Sequence, residues 1–242
     1  MALIEARSLS KSFDGFEVFR DVDLNVERGS TVVILGKSGA GKSVLLKIVI
    51  GLIAPDSGTV LIDGEAVERM RRKRLNALRQ TMGYLFQGAA LFDSMSVREN
   101  LAFPLERRER LSRDELEARI VNQLKLVGLL DAIGKMPSEL SGGMKKRVGL
   151  ARALITNPRI MLYDEPTTGL DAITSREISL LIKSLQERYQ LTSIAVTHDM
   201  QCTRMIADTV AILHGATLDH QGSIESLQRT DDDDVRSFFA TE

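Results

Sequence analysis

A glycine-rich segment, GKSGAGKS at residues 36–43, combines residue types that together bind phosphate. It follows the apolar run TVVIL and precedes the helical pattern KSVLLKIVIGL, which is the context that a phosphate-binding loop requires. Glycines let backbone N–H groups converge on phosphate oxygens, Lys42 places a charge at the β- and γ-phosphates, and Ser43 offers a hydroxyl to Mg²⁺. A glycine-rich turn alone does not demand a lysine and a serine at these two positions. The predicted phosphate contacts are Gly36, Lys37, Ser38, Gly39, Ala40, Gly41, Lys42 and Ser43.

Two acidic residues end a second apolar run, IMLYDEP at residues 160–166. A carboxylate at the carboxyl end of such a strand lies where ligands bind in open α/β sheets. We therefore expect Asp164 to hold the metal through its water shell, and Glu165 to polarise a water molecule for attack on a γ-phosphate. The alternative is that both acids begin a solvated loop, which the phosphate-binding loop in the same chain makes the weaker interpretation.

Two other polar residues close apolar runs in the same way. His198 ends IAVTH and is the candidate for sensing the γ-phosphate, whereas Gln87 ends GYLFQ and its amide is a candidate for binding metal or water. A lone histidine is more often structural, and His214 and His220 receive that interpretation. The position of His198 at a strand end, like that of Asp164, favours a functional role.

The segment LSGGMKKR at residues 140–147 places a serine and two glycines at the start of a helical pattern. Ser141 is a favourable N-cap, and Gly142, Gly143 and Met144 form a helix start whose uncovered N–H groups and dipole make a second anion-binding surface. The sequence contains one phosphate-binding loop but two such surfaces. We therefore expect two copies to lie head to tail, each closing over the nucleotide of the other.

The patterns around these motifs predict an α/β fold. VDLNVERGS alternates apolar and polar residues like a half-exposed strand, TVVIL is typical of a strand covered on both faces, and GTVLIDGEAV predicts two short strands around an Asp-Gly turn. Residues 93–157 instead show helical periodicity, with capping boxes at Ser96 and Ser112. After residue 158 the strand, helix, strand order is typical of a parallel sheet.

Composition restricts the possible functions. The chain has 242 residues, 43% of them hydrophobic, so it can build a large core without disulfides, and the lone Cys202 is expected to be buried and unreactive. The formal net charge of -1 argues against nucleic acid as a partner. No apolar run reaches the roughly 20 residues that span a bilayer, and the start resembles no secretory signal, so we expect a cytosolic protein whose membrane role depends on a partner. The basic run RMRRKR at 69–74 is expected to be a solvated face, with contact to a partner or to anionic headgroups as the alternative.

In this order along the chain, the motifs resemble those of the nucleotide-binding subunit of an ABC transporter, and the resemblance covers nearly the whole chain. It implies a single ABC ATPase domain of the P-loop NTPase class. Residues 1–92 and 158–230 would form a RecA-like parallel core with an N-terminal antiparallel β subdomain, residues 93–157 an inserted α-helical subdomain, and residues 231–242 a short tail. The resemblance also implies ATP and Mg²⁺ as ligands, and ATP hydrolysis coupled to transport.

The resemblance assigns further roles to single residues. Phe13 stands where the family stacks an aromatic ring on adenine, with Phe16 as a less favoured substitute. Gln87 matches the loop that reports nucleotide state to the membrane partner, and Asp171, in GLD, matches the loop that couples the two sites of a dimer. Ala172 departs from the proline usual after that aspartate. The implied catalytic residues are Glu165, His198 and Lys42, and the implied metal ligands are Ser43, Gln87 and Asp164.

The segment GAALFDSMSVRENLAFPL at residues 88–105 stands where the family forms a groove for a coupling helix of the permease. Together with LSGGMKKRVGLARAL and YDEPTTGLD, it is similar to the ATPase subunits of MCE-type (Mla-like) phospholipid transporters. That similarity implies a permease, an MCE-domain lipid-binding protein and a small accessory subunit as partners, at the cytoplasmic face of the bacterial inner membrane. The alternatives are the same motor with another cargo, such as an amino acid, an ion or a drug, and a soluble ABC ATPase acting on nucleic acid or ribosomes.

Overall fold

The computed structural model describes residues 2–108 and 110–239. The strands are β1 (Ala2–Phe13), β2 (Phe16–Glu27), β3 (Thr31–Leu35), β4 (Ser57–Ile62), β5 (Glu65–Ala66), β6 (Met82–Leu85), β7 (Ile160–Asp164), β8 (Thr192–Thr197), β9 (Thr209–His214) and β10 (Thr217–Gly222). The helices are α1 (Lys42–Val49), α2 (Arg72–Arg79), α3 (Val97–Glu106), α4 (Arg113–Leu126), α5 (Gly142–Leu154), α6 (Ala172–Tyr189), α7 (Met200–Ile206), α8 (Ile224–Gln228) and α9 (Asp233–Ser237).

The larger sheet has six strands in the order β10-β9-β3-β8-β7-β6, and every pairing except β10 with β9 is parallel. All residues of β3 are buried, which confirms the prediction that this strand is covered on both faces, and all residues of β7 and β8 are buried as well. The carboxyl ends of parallel strands lie at the same edge of the sheet. The segments that follow β3, β6, β7 and β8 therefore meet at this edge.

The smaller sheet is antiparallel, in the order β2-β1-β4-β5. Val22, Leu24 and Val26 of β2 are fully buried while the residues between them are exposed, as the alternation predicts. The predicted turn joins β4 to β5, and Asp63 and Gly64 both adopt positive φ, at 56° and 78°. Two successive positive φ values are the requirement of a type I′ hairpin turn, which Asp-Gly satisfies.

Between β6 and β7 the described residues form helices only, α3, α4 and α5 with two short 3₁₀ turns. The predicted capping boxes are present: Ser96 caps α3 with Glu99, and Ser112 caps α4 with Glu115. Leu116, Ile120 and Leu124 of α4 pack in a separate core with α3 and α5. This helical unit therefore has its own hydrophobic centre.

The described part of the C-terminal segment folds back on the same chain. Val235 of α9 is buried beside Leu227 of α8 and Val210 of β9. The basic side chains of residues 69–74 are exposed, as predicted for a solvated face. Among the described residues, no helix is both long and apolar enough to cross a bilayer.

Cys202 provides a simple test of this packing. It lies in α7 among buried side chains, and burial raises the pKa of its thiol to about 12. The thiolate is the reactive form. We therefore expect the folded protein at pH 8 to resist iodoacetamide and the urea-unfolded protein to be alkylated once, as measured by mass spectrometry. Glutathione serves as the reference thiol, and alkylation of the folded protein at the rate of glutathione would contradict the packing of α7.

Candidate nucleotide site

The phosphate-binding loop connects β3 to α1. Gly39 and Gly41 have positive φ values of 82° and 92°, which side chains strongly disfavour. At Gly41 the restriction is also steric, because a Cβ atom there would lie 2.3 Å from Cγ1 of Val18 in β2. No side chain of the described residues caps α1, so its first backbone N–H groups remain available to an anion.

Lys42, the first residue of α1, is only 5% exposed. Its ammonium group donates hydrogen bonds to the backbone oxygens of Gly36 and Lys37, at 2.7 and 3.1 Å. It also lies 3.3 Å from Oε1 of Glu165. The loop thus curls around a buried cation whose counter-charge is the carboxylate that follows β7.

Glu165 is held in an uncommon backbone conformation, with φ at 49°. Its N–H donates to the Val196 oxygen at 2.9 Å and so continues the ladder between β7 and β8. Its Oε2 atom lies 2.9 Å from Nδ1 of His198 and accepts hydrogen bonds from Thr168 at 3.0 Å and Thr197 at 3.3 Å. Four groups, counting Lys42, therefore fix this one carboxylate.

These contacts decide the charge of Glu165. Burial alone acts to raise the pKa of its carboxyl, but the hydrogen bond from His198 and the charge of Lys42 outweigh burial. The pKa is therefore held below its usual range, and the group is ionised at neutral pH.

Asp164 lies one residue earlier and is also buried, at 6% exposed. Its Oδ1 atom accepts a hydrogen bond from the Ser43 hydroxyl at 2.7 Å, and its Oδ2 atom accepts one from the Tyr84 hydroxyl at 3.0 Å. The hydroxyl and the carboxylate in contact supply oxygen donors of the kind that Mg²⁺ prefers, and Gln87 lines the same cavity as Ser43.

A cavity of about 430 Å³ lies over the phosphate-binding loop. It brings together nine of the predicted residues from four separate segments, among them Lys42, Ser43, Gln87, Glu165 and His198. Gly36 and Lys37 instead line an adjoining cavity of about 520 Å³, which His198 shares. The cavity over the loop is also lined by Ser38, Gly39, Ala40, Gly41, Val44 and Thr168.

The signature segment lies elsewhere on the same chain. Ser141 caps α5 by accepting a hydrogen bond from the Met144 N–H, and both Ser141 and Gly142 are exposed. Gly143 packs against α6, where a Cβ atom would lie 2.5 Å from Thr174. Asp171 caps α6 through the same threonine. None of these residues is among the described side chains that line the two cavities at the phosphate-binding loop.

Phe13 and Phe16 pair across the hairpin between β1 and β2 and are 44% and 69% exposed. The ammonium of Lys11 lies 5.0 Å from the centre of the Phe13 ring. Neither phenylalanine is among the described residues that line the loop cavities. The hairpin does approach the loop, because Val18 of β2 contacts the position of Gly41. The adenine-stacking role of Phe13 therefore stays a prediction.

Lys146 belongs to this site in addition to the residues predicted from sequence. This residue of α5 is 5% exposed, and its ammonium donates to the Gln87 backbone oxygen at 2.5 Å and to that of Glu165 at 2.8 Å. Burial lowers its pKa to about 8, although the charges of Glu165 and Asp164 act in the opposite direction. Lys146 lies three residues after Gly143 in α5, and this spacing puts the two residues on the same face of the helix. The spacing was the available signal in the sequence.

Three hydroxyl groups were also missed: those of Tyr84, Thr168 and Thr197. Each donates a hydrogen bond to Asp164 or Glu165. Thr168 lies in the loop after β7, so proximity in sequence was a signal. Tyr84 and Thr197 reach the acids only through strand pairing, for which the local sequence gives no sign.

The family described as "ABC transporter" matches residues 19–168 of the chain. Among curated proteins, the chain is 40% identical over 236 residues to "Probable ribonucleotide transport ATP-binding protein mkl" of Mycobacterium leprae, covering 98% of this chain and 68% of that protein. It is 39% identical over 237 residues to "Intermembrane phospholipid transport system ATP-binding protein MlaF" of Escherichia coli K12, covering 98% of this chain and 88% of that protein.

Solved structures show the same fold. CbiO1 of Clostridium perfringens, described as part of the ABC transporter complex cbiONQ, superposes with a TM-score of 0.83 at 32% identity, covering 91% of this chain and 88% of that one. The ATP-binding cassette MJ0796, in a dimeric post-hydrolysis state bound to ADP and Pi, also gives 0.83, at 31% identity, covering 91% and 98%. The chain therefore belongs to the ABC transporter family, in which it is an ATP-binding and ATP-hydrolysing subunit.

Proposed function

We propose that the chain powers phospholipid transport at the cytoplasmic face of a bacterial inner membrane, as one of two identical ATPase subunits bound to a permease. The observation that carries the motor part is the separation of two phosphate-binding elements on one chain. The phosphate-binding loop and Glu165 share a cavity, whereas the start of α5 at Ser141 is exposed and contributes nothing described to that cavity.

The chemistry assigned to the cavity is hydrolysis of the γ-phosphate of ATP. Lys42 would bind the β- and γ-phosphates, and Ser43, Gln87 and Asp164 would hold Mg²⁺, Asp164 through the water shell of the ion. When bound, Mg²⁺ neutralises charge on the phosphate oxygens. Glu165 orients and deprotonates the attacking water.

His198 complements this base. Its Nδ1 atom lies 2.9 Å from Glu165, and 56% of its side chain is exposed on the cavity. It therefore holds the base from one side while its ring remains open to a phosphate. Phosphate bound by Lys42 would also weaken one of the interactions that keep the Glu165 pKa low. The carboxylate then becomes a better base when substrate is present.

Two copies complete the site. The start of α5, from Ser141 to Met144, is the proposed anion surface; Ser141 and Gly142 are exposed there, and none of its described residues lines the cavity over the phosphate-binding loop. Placed head to tail, a second copy brings this surface to the γ-phosphate of the first. Asp171, which packs beside the start of α5, then lies at the contact between copies. Because ATP contacts both chains, it favours the closed dimer by its differential affinity for that state.

The permease is assigned to a groove between the core and the helical unit. This groove has a volume of about 600 Å³. Among the described residues, its lining combines aromatic and cationic side chains and includes no carboxylate: Phe86, Phe92, Phe103, Arg79, Arg107, Arg108 and Arg152. An amphipathic helix with acidic residues has the complementary chemistry.

The cargo is assigned from the relatives that are named for intermembrane phospholipid transport. The chain spans 88% of the Escherichia coli protein and 91% of the Haemophilus influenzae protein of that name. It spans 68% or 66% of the mycobacterial proteins named for ribonucleotide transport. An MCE-domain lipid-binding protein and a small accessory subunit are the further partners that this assignment implies.

Purification from native membranes tests the assignment. The tagged chain would be extracted in mild detergent, and copurifying proteins and lipids identified by mass spectrometry. We expect a polytopic permease, an MCE-domain protein and bound phospholipid. A different permease would overturn the phospholipid assignment but would leave the role as a transport ATPase intact. Bound ribonucleotide in place of phospholipid would favour the cargo named for the mycobacterial relatives. Ribosomal or DNA-bound material in place of a permease would overturn the transport function.

Glu165→Gln should separate ATP binding from hydrolysis. The amide cannot accept the proton of the attacking water, so we expect the hydrolysis rate to fall about a hundredfold or more. ATP binding should persist and trap a closed dimer, measured by size-exclusion chromatography with light scattering. Lys42→Ala should instead lose ATP binding. Glu187→Gln, an exposed carboxylate on α6, is the control. Hydrolysis by Glu165→Gln at the wild-type rate would show that Glu165 is not the base.

Ser141→Arg should block hydrolysis without blocking ATP binding by a monomer. The arginine adds bulk at the proposed dimer contact and also removes the N-cap of α5, which costs about 1 kcal/mol. Ser112→Arg removes the comparable cap of α4 and controls for that loss. ATP binding would be followed by fluorescence and hydrolysis by phosphate release. A Ser141→Arg protein with full hydrolysis would refute the head-to-tail arrangement.

Lys146→Met should lower the ATPase rate by about tenfold while the protein stays folded. The methionine fills similar space but leaves the Gln87 and Glu165 backbone oxygens without their shared donor, so both segments lose a fixed position. Lys145→Met makes the same change at a neighbouring, half-exposed position and should retain activity. Rates would be compared at pH 7 alongside melting temperatures, with Lys146→Arg as the conservative rescue. Equal rates for the two methionine variants would exclude a positioning role for Lys146.

A further inference from the structure

Tyr84 connects two regions that are otherwise separate. It lies within β6, and its hydroxyl donates to Oδ2 of Asp164 at 3.0 Å. The phenolic hydroxyl is the donor of this hydrogen bond, and the carboxylate oxygen is the acceptor.

The hydrogen bond from Tyr84 completes the fixation of Asp164. The other oxygen of this carboxylate accepts from Ser43, which comes from the phosphate-binding loop. Each oxygen thus has one donor from a different element, α1 on one side and β6 on the other. Partners of this kind set the direction in which a carboxylate presents its remaining lone pairs.

The ring of Tyr84 faces the opposite region, the groove assigned above to the permease. Residues two apart on a strand point to the same side, and Tyr84 stacks on Phe86 with ring centres 4.1 Å apart and planes at 26°. Both rings line the groove, and Phe86 is 38% exposed. A molecule seated in the groove would therefore touch the same side chain that holds Asp164.

We propose that Tyr84 is a positioning residue that links the groove to the metal-binding edge of the nucleotide site, through its stack on Phe86 and its hydrogen bond to Asp164. Displacing the Phe86 ring moves the Tyr84 ring, and the hydroxyl carries that movement to the carboxylate. Only the identity of the groove's occupant rests on the proposed function. The link itself is a property of one chain.

The isolated full-length chain is sufficient for the test. Mn²⁺ replaces Mg²⁺ as an ion visible by electron paramagnetic resonance, and its binding midpoint is measured with a non-hydrolysable ATP analogue. Tyr84→Phe removes only the hydroxyl and keeps the stack. Phe86→Ala removes the stack and keeps the hydroxyl. Tyr189→Phe and Leu180→Ala, two exposed positions on α6, make matched changes away from the site.

We expect Tyr84→Phe to weaken Mn²⁺ binding about tenfold, because a metal-binding carboxylate loses one of its hydrogen-bond donors. Binding of the ATP analogue without metal should stay unchanged. Phe86→Ala should shift the midpoint in the same direction. The double variant should bind Mn²⁺ no more weakly than Tyr84→Phe, because both changes act through one hydrogen bond. The two control variants should keep the wild-type midpoint.

An unchanged midpoint in Tyr84→Phe would overturn the positioning role. The link to the groove would be overturned if Tyr84→Phe shifted the Mn²⁺ midpoint and Phe86→Ala did not. It would also be overturned if the shift in the double variant equalled the sum of the two single shifts. A failure of the transport assignment shows itself differently, as the absence of a permease among the copurifying proteins. The Mn²⁺ comparison would remain decisive in that case.

Discussion

The buried contact between the Lys42 ammonium and the Glu165 carboxylate is the constraint to which the rest of the site is adapted. Both side chains are less than a tenth exposed, and a buried charge without its partner is strongly destabilising. The glycines of the loop bend the backbone so that Lys42 can point inward. Glu165 accepts an uncommon backbone conformation to meet it, and the hydroxyl groups of Thr168 and Thr197 hold it there.

This contact also explains why the site responds to substrate. A phosphate offers Lys42 a stronger, more highly charged partner, and Glu165 then loses a cation that lowers its pKa. The base is thus held ionised and restrained before substrate binds, and becomes more basic afterwards. Ser141 lies outside this cavity. In the proposed arrangement, another copy of the chain supplies the second phosphate-binding element, so that hydrolysis depends on dimer closure.

Much of this organisation could be predicted from sequence because it is local. The phosphate-binding loop, the acids after β7, the capping boxes of α3 and α4, and the fully buried β3 all depend on residues close together in the chain. The sequence predicted a parallel α/β sheet but not the order of its strands. Lys146 and Tyr84 were missed because their partners lie on other elements, and nothing near either residue in the sequence indicates which carbonyl or carboxylate it contacts. The position of Phe13 relative to a nucleotide likewise depends on how the hairpin closes over a ligand.

The most direct test of a site shared between two chains is a mixing experiment. Lys42→Ala and Ser141→Arg proteins, each inactive alone, would be combined in equal amounts and their ATPase rate measured. In a mixed dimer, the intact loop of one chain meets the intact α5 start of the other, so half the dimers carry one complete site. We predict recovery of about a quarter of the wild-type rate, as random pairing of two-fold dimers requires. No recovery at any ratio, with both proteins folded, would show that the two elements do not act together across the dimer.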